Sequence, residues 1–199
     1  MNKYPPHLLK LIDVFRKLPG VGTKSAERFA FQLLTWPKEQ LSEMGTVIQE
    51  VPQRLKGCEQ CGCLIGETDC TFCDTTKRKA NIICVIASAR DAFAIEETRE
   101  YKGLYHVIGG LLSPMTGQGA NKLSLYKLKE RIQKLNITEV IIALDSTLEG
   151  DATSLYIKQE LGPLPVQISR LAFGLPMGSS LDYVDGGTLA KAFSGRANF

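Results

Sequence analysis

The sequence has no long apolar run and no strong excess of charge of one sign. Among its 199 residues, no stretch is apolar enough to span a bilayer, and Met1–Pro6 lacks the apolar core of a secretory signal peptide. We therefore expect neither a membrane-spanning nor a secreted protein, but a cytoplasmic one. The apolar fraction of 44% and the charged fraction of 23% are typical of a globular protein.

The formal net charge is only +3, which by itself indicates no class of partner. The basic excess is confined to residues 1–57, which carry nine Lys and Arg against five Asp and Glu. Residues 58–199 carry fifteen and sixteen, respectively. This distribution favours a phosphate-facing N-terminal region, although a solvated helix face has a similar composition.

Four cysteines form two pairs, Cys58-x2-Cys61 and Cys70-x2-Cys73. Each pair lets two thiolates reach one ion from a tight turn, and two pairs complete a tetrahedral cage without an open position. We predict one structural Zn²⁺ per chain in a small knuckle that supports a neighbouring module. Two disulfides or a redox pair are the alternatives, but the doubling of the C-x2-C pair favours the metal.

The N-terminal region has three apolar stripes at helical spacing. They predict helices over Leu8–Leu18, Thr23–Leu34 and Leu41–Leu55, the last ending near Lys56–Gly57. Thr23 is a candidate N-cap of the second helix. Because all three stripes are amphipathic, we expect a small helical bundle.

The turn between the first two predicted helices holds the candidate nucleic-acid site. Gly20 and Gly22 let backbone N–H groups point outward at a helix N-terminus, which suits a phosphate. Lys24 and Arg28 follow one helical turn apart and add charge. The run resembles a helix-hairpin-helix motif, which grips a nucleic-acid backbone without reading bases; an ordinary interhelical turn is the alternative. The glycines lack the spacing of an ATP-binding P-loop, which excludes that site.

After the cysteines, short apolar runs alternate with helical periodicity. The runs Ile82–Ile86, Tyr105–Ile108, Val140–Leu144 and Val166–Ile168 predict strands. Helical stretches between them indicate an α/β fold with a mainly parallel sheet flanked by helices. A short closing helix is predicted around Ala190–Phe193.

An acidic loop follows the third predicted strand. Asp145, Glu149 and Asp151 lie within seven residues of one another, beyond the carboxyl end of a strand, where α/β proteins gather functional groups. These carboxylates could hold Mg²⁺ for phosphoryl chemistry. Alternatively, Asp151 caps the following helix.

Taken together, the motifs resemble the RecR family of bacterial recombination mediators across nearly the whole chain. The resemblance rests on Leu18–Gly22, the cysteine quartet, Tyr105–Gly110, Leu112–Pro114, Glu149–Thr153 and Arg170–Gly178. It implies a helix-hairpin-helix region (1–57), a C4-type zinc finger (58–73), a Toprim domain (81–176) and a C-terminal oligomerisation segment (177–199).

The resemblance also implies a function in recombinational DNA repair without catalysis. The protein would act with RecO and RecF to load RecA at gapped DNA, and would form a homo-oligomer, a ring tetramer that encircles duplex DNA. Gly20, Gly22, Lys24 and Arg28 would contact DNA without sequence preference, and Asp145, Glu149 and Asp151 would face a partner protein.

Two departures bear on the alternative, a Mg²⁺-dependent Toprim nuclease or primase-like enzyme. The resemblance implies that a catalytic Toprim domain needs a glutamate at the end of its first strand. This chain has Ala87 at that position. Asp145-Ser146-Thr147 replaces their Asp-x-Asp pair. Because the acid that would donate a proton is missing, we predict no enzyme activity.

Overall fold

A computed structural model describes residues 4–113, 117–172 and 174–196 of the chain. The motif residues Pro114 and Phe173, the first three residues and residues 197–199 of the predicted C-terminal segment lie outside this description. The elements, in chain order, are α1 (Pro6–Arg16), α2 (Thr23–Leu33), α3 (Lys38–Arg54), β1 (Lys56–Gly57), β2 (Leu64–Ile65), β3 (Lys79–Ile86), α4 (Ala89–Glu97), β4 (Gly103–Val107), α5 (Leu125–Lys134), β5 (Glu139–Ala143), α6 (Leu148–Leu161), β6 (Gln167–Arg170) and α7 (Gly186–Ser194).

The chain divides into two compact units, Met1–Arg54 and Leu55–Phe199. In the first unit, α1 and α2 pack around a small core of Ile12, Ala26 and Ala30. Helix α1 begins with Pro6 in its first turn, where a proline removes no helical hydrogen bond.

Helix α3 departs from the predicted bundle because it buries none of its residues. Its apolar positions Leu41, Val47, Ile48 and Val51 are all more than a third exposed. The bundle expectation was therefore wrong for this helix: among the described residues of this unit, the core lies between α1 and α2. The predicted end near Lys56–Gly57 is confirmed to within two residues, since α3 ends at Arg54 and strand β1 follows.

The second unit is built on a four-stranded parallel sheet in the order β4-β3-β5-β6, which confirms the α/β prediction. Residue Ile83 of β3 pairs with Leu104 of β4 on one side and with Val140 of β5 on the other. All four predicted strands are present: β3 begins three residues before its expected start, and the other bounds differ by at most two residues.

Both faces of the sheet are covered. Alternate side chains of each strand point to opposite faces, and each set packs against its own cluster. Ile83 and Val85 of β3 face a cluster formed with helices α5 and α6. Cys84 and Ile86 face a second cluster, which contains Ala92 of α4 and three residues of the cysteine region: Cys61, Cys63 and Phe72.

None of the helices in the described ranges combines the length and apolarity needed to cross a membrane.

Candidate metal centre and nucleic-acid interface

The two cysteine pairs meet in one cluster. The Sγ atoms of Cys58, Cys61, Cys70 and Cys73 all lie within 4.8 Å of one another. The Cys58–Cys73 and Cys61–Cys70 Sγ distances are 3.8 and 3.5 Å. A tetrahedral ion with Zn–S bonds of about 2.3 Å needs neighbouring sulfurs about 3.8 Å apart, so the donor set fits zinc. All six cysteines of the chain, each within the described ranges, are free thiols, and the disulfide alternative was wrong.

A hydrogen-bonded turn shapes the first half of this cluster. Strands β1 and β2 pair antiparallel, and the Cys58 N–H donates to the Cys63 carbonyl at 2.8 Å. The Gly62 N–H closes the turn on the Cys58 carbonyl at 2.8 Å, with Gly62 at a left-handed φ of +75°. The Cys63 N–H lies 3.4 Å from the Cys61 Sγ, a backbone donor that favours a thiolate.

Ionisation of one thiol makes ionisation of the others harder. A hydrogen bond with the Cys63 thiol lowers the pKa of Cys61, whereas burial and the charge of Cys61 raise the pKa of Cys70. The hydrogen bond with Cys61 raises the pKa of Cys73. Like charges so close together ionise jointly only beside a cation. The cluster is therefore suited to a metal ion that thiolates prefer, as Zn²⁺ is.

The cysteine knuckle (residues 58–73) seats on the edge strand of the sheet. The Val107 N–H of β4 donates to the Cys61 carbonyl at 2.7 Å. Phe72 inserts between Phe93 and Tyr105, with both ring centroids 5.5 Å away in edge-to-face geometry. The knuckle thus supports a neighbouring module, as predicted, and that module is the parallel sheet.

Arg78 fastens the end of the knuckle, and nothing in its sequence context indicated this. Its guanidinium makes two 2.9 Å contacts with the Glu96 carboxylate and donates to the Thr71 carbonyl at 2.9 Å. The same group lies 5.3 Å from the Phe72 ring centroid and 5.4 Å from that of Tyr105. The guanidinium of Arg78 thus links its own segment to the knuckle at Thr71 and to helix α4 at Glu96. These segments are separate in the sequence and meet through folding.

The glycine hairpin of the first unit has the predicted geometry. Gly20 adopts a left-handed φ of +77°, and a Cβ there would meet no atom within 4 Å. Gly22 is the N-cap of α2, and its carbonyl accepts the first helical bond, from the Ala26 N–H at 2.9 Å. Thr23 was thus wrongly predicted as the cap and is instead the first helical residue. The N–H groups of the first helical turn have no acceptor within the helix.

Charged side chains follow the hairpin on the same helix. Lys24 and Arg28 are exposed, as are Gly20 and Gly22. The Arg28 guanidinium lies 5.7 Å from the ring centroid of Phe29, which limits its motion while leaving it open to solvent. Exposed backbone amides and a cation therefore lie at the N-terminus of α2, where the helix dipole favours an anion, and a second exposed cation lies one turn further along.

The acidic loop does not gather its carboxylates. In the described part of the chain, the cysteine quartet is the single group of three or more ligating side chains close enough for a shared ion. Asp145 and Glu149 are exposed, whereas Asp151 pairs with Arg170 of β6 and, at 3.1 Å, with Lys191 of α7. These contacts do not support the magnesium alternative, because two cations from distant elements hold Asp151.

The helix-cap alternative for Asp151 was also wrong. Thr147 is the N-cap of α6, and its hydroxyl accepts from the Gly150 N–H at 3.1 Å. Gly150 is required for the loop to fold back, because a Cβ there would lie against the Asp145 carbonyl oxygen. The hydroxyl of Thr153 accepts from the Leu112 N–H at 2.9 Å and ties the helix to the neighbouring loop.

Ala87 lies directly after β3, the strand between β4 and β5. The last β3 residue, Ile86, pairs with Ala143, two residues before Asp145. Ala87 therefore lies at the carboxyl ends of the strands, where the resemblance placed the glutamate of a catalytic Toprim domain, but its side chain has no ionisable group.

Comparison with known proteins finds a family match for each of three segments of the chain. A RecR helix-hairpin-helix family matches residues 8–51, the Toprim domain family matches residues 81–172, and a RecR C-terminal family matches residues 174–197.

Relatives match over the full length. The recombination protein RecR of Protochlamydia amoebophila (strain UWE25) is 61% identical over 197 residues, which cover 99% of this chain and 100% of the relative. The proteins of the same name from Chlamydia caviae and Chlamydia abortus are 50% and 48% identical over 198 residues, covering 98% of each chain. These matches confirm the resemblance seen in the motifs: the chain belongs to the RecR family of recombination proteins.

Proposed function

We propose that this chain is a DNA-binding adaptor of recombinational repair, which acts with RecO and RecF to promote RecA loading at gapped DNA. Family membership supports the role in repair. The observation that carries the DNA-binding step is the exposed hairpin: Gly20, Gly22 and Lys24 lie at the N-terminus of α2, and Arg28 lies one turn after Lys24 on the same helix. Backbone amides and cations without base-reading groups suit binding without sequence preference to double-stranded and gapped DNA.

In this proposal, Cys58, Cys61, Cys70 and Cys73 hold one structural Zn²⁺ per chain. The sulfur spacing and the closed set of four donors support zinc without a catalytic position. The ion supplies a rigid crosslink between the two halves of the knuckle. The knuckle residues themselves position β4 through Cys61 and Phe72.

The acidic loop is proposed as a partner-protein surface. Asp145 and Glu149 face solvent, and Asp151 steadies the loop through Arg170 and Lys191. A RecO-like or RecF-like partner with basic groups would complement these carboxylates.

We also propose that the protein is cytoplasmic and that four copies assemble into a ring. The apolar residues of α3 are exposed in the single chain, and α7 carries Phe193 with 69% of its surface exposed. Apolar faces of this kind favour contacts between copies.

No observation favours the enzymatic alternative, and we propose that the chain has no catalytic activity. The carboxylates of the acidic loop are not assembled for a shared ion, and Ala87 supplies no general acid.

The test compares DNA binding by the wild type and by the Lys24→Ala/Arg28→Ala variant. Binding is measured as the fluorescence anisotropy of a labelled duplex across a series of salt concentrations. Removing one cation that neutralises a phosphate should reduce the slope of log Kobs against log salt by about 0.9, so the double variant should have a slope smaller by about 2. Binding should weaken about equally for unrelated sequences.

The matched control is Lys10→Ala/Lys38→Ala, which removes the same charge from exposed positions of α1 and α3. It should leave most of the slope intact. Equal slopes for both double variants would show that only net charge matters and would reject the hairpin as the DNA-binding site.

A further inference from the structure

Arg131 is buried in the second unit, although it belongs to a helix whose other cations are exposed or half-exposed. Only 8% of its surface is accessible. Its guanidinium donates to the Tyr105 carbonyl at 2.6 Å, lies 3.2 Å from the His106 Nδ1, and lies 3.7 Å from the Cys73 Sγ. Its Nε has no hydrogen-bond partner among the described residues.

Two of these three acceptors are neutral. Because a guanidinium can only donate, the His106 Nδ1 must accept. The proton of His106 therefore sits on Nε2, 3.0 Å from the Ser124 carbonyl, and the imidazole carries no charge. The peptide carbonyl of Tyr105 is also uncharged.

No carboxylate compensates the guanidinium. Within the part of the chain that the structure describes, Arg131 forms no ion pair with Asp or Glu. A buried cation without a counter-charge is strongly destabilising. Among the described residues, Cys73 is thus the one neighbour in contact that can carry the opposite charge, which it would carry as a metal ligand.

We propose that Arg131 is the buried counter-ion of the metal–thiolate cluster, so that metal binding and burial of this guanidinium stabilise each other. The proposal rests on the zinc site proposed above. Four thiolates around a divalent ion carry two net negative charges, and Arg131 neutralises part of this excess from the side of the sheet. It acts as a positioning residue through Cys73, without touching the ion.

The test is a thermodynamic cycle with Arg131→Met, which keeps the apolar stem and removes the charge. Zn²⁺ affinity is measured by competition with a chromophoric chelator, and unfolding by urea is measured with and without Zn²⁺. The variant should bind Zn²⁺ about 10- to 100-fold more weakly. It should be less stable than the wild type with Zn²⁺, but equally or more stable without it, because the metal-free wild type buries an unpaired charge.

Lys129→Met is the matched control. Lys129 lies on the same helix as Arg131, but its counter-charge is the Glu160 carboxylate at 2.6 Å. The control variant should change stability alike with and without Zn²⁺ and leave the affinity for Zn²⁺ within about twofold of the wild type.

Co²⁺ in place of Zn²⁺ gives a second readout if the metal-free protein does not fold. Arg131→Met should shift the thiolate-to-cobalt charge-transfer band, because the sulfur charge loses its partner, whereas Arg131→Lys should shift it less. Unchanged Zn²⁺ affinity and an unchanged Co²⁺ band in Arg131→Met would overturn the proposal. Failure of the wild type to bind either ion would instead reject the zinc site itself.

Discussion

Gly62→Ala tests whether the knuckle fits directly against the sheet edge. Gly62 has a φ of +75°, and a Cβ at this position would lie 2.9 Å from the Val107 Cβ and 3.4 Å from the Val107 carbonyl oxygen. The left-handed backbone costs a non-glycine residue about 1–2 kcal/mol. Forcing apart a packed contact adds about 1–3 kcal/mol, so the second unit should lose about 2–5 kcal/mol of its unfolding free energy.

Gly109→Ala separates the two contributions. Gly109 lies in the same unit with a φ of +89°, and its Cβ would meet only the Lys122 carbonyl oxygen at 3.8 Å, an ordinary contact. Only the backbone cost of about 1–2 kcal/mol should therefore apply. The difference between the two variants measures the contact between knuckle and β4.

Urea unfolding with two probes gives the measurement. Far-UV circular dichroism follows the whole chain, while fluorescence of Trp36, the single tryptophan, follows the first unit. Gly62→Ala should shift the dichroism transition and leave the Trp36 transition in place. Indistinguishable losses in Gly62→Ala and Gly109→Ala would refute the close fit of the knuckle to Val107.

Two further predictions concern a buried imidazole and the acidic loop. Burial lowers the pKa of His106 from 6.5 to about 4, so between these values the unfolded chain binds a proton that the folded chain does not. Stability is then complete above pH 6.5 and falls by about 3 kcal/mol as the pH drops to 4; urea titrations should show a flatter profile for His106→Gln. Gly150→Ala should cost at least about 1–3 kcal/mol and speed hydrogen exchange in residues 145–151, because its Cβ overlaps the Asp145 carbonyl. Gly162→Ala, whose nearest contact is 3.4 Å, should cost much less, and equal thermal stability of the two variants would contradict this explanation.

Local patterns predicted most of the helices and strands and the clustering of the four cysteines. The apolar spacing of Leu125, Leu128 and Ile132 is a property of the α5 segment itself, and these residues are buried as the period requires. The spacing of each cysteine pair likewise determines its geometry, since a turn with two intervening residues brings both sulfurs within reach of one ion.

Contacts between distant segments escaped prediction. Arg131 has the sequence context of a solvated helix cation, and its burial depends on Tyr105, 26 positions away. The helix-cap and magnesium alternatives for Asp151 failed for the same reason, because Arg170 and Lys191 reach it from other elements. Helix α3 has the periodicity of a core helix, yet periodicity does not state whether the covering surface belongs to the same chain.

The hydrogen bond between Val107 and Cys61 has a consequence for handling the protein. Strand β4 ends the sheet, and the knuckle satisfies its outward Val107 N–H. An uncovered edge strand is a template for pairing with another chain and leads to aggregation. Chelators or thiol oxidants should therefore shorten the storage life of the protein by uncovering this edge, well before the sheet itself unfolds.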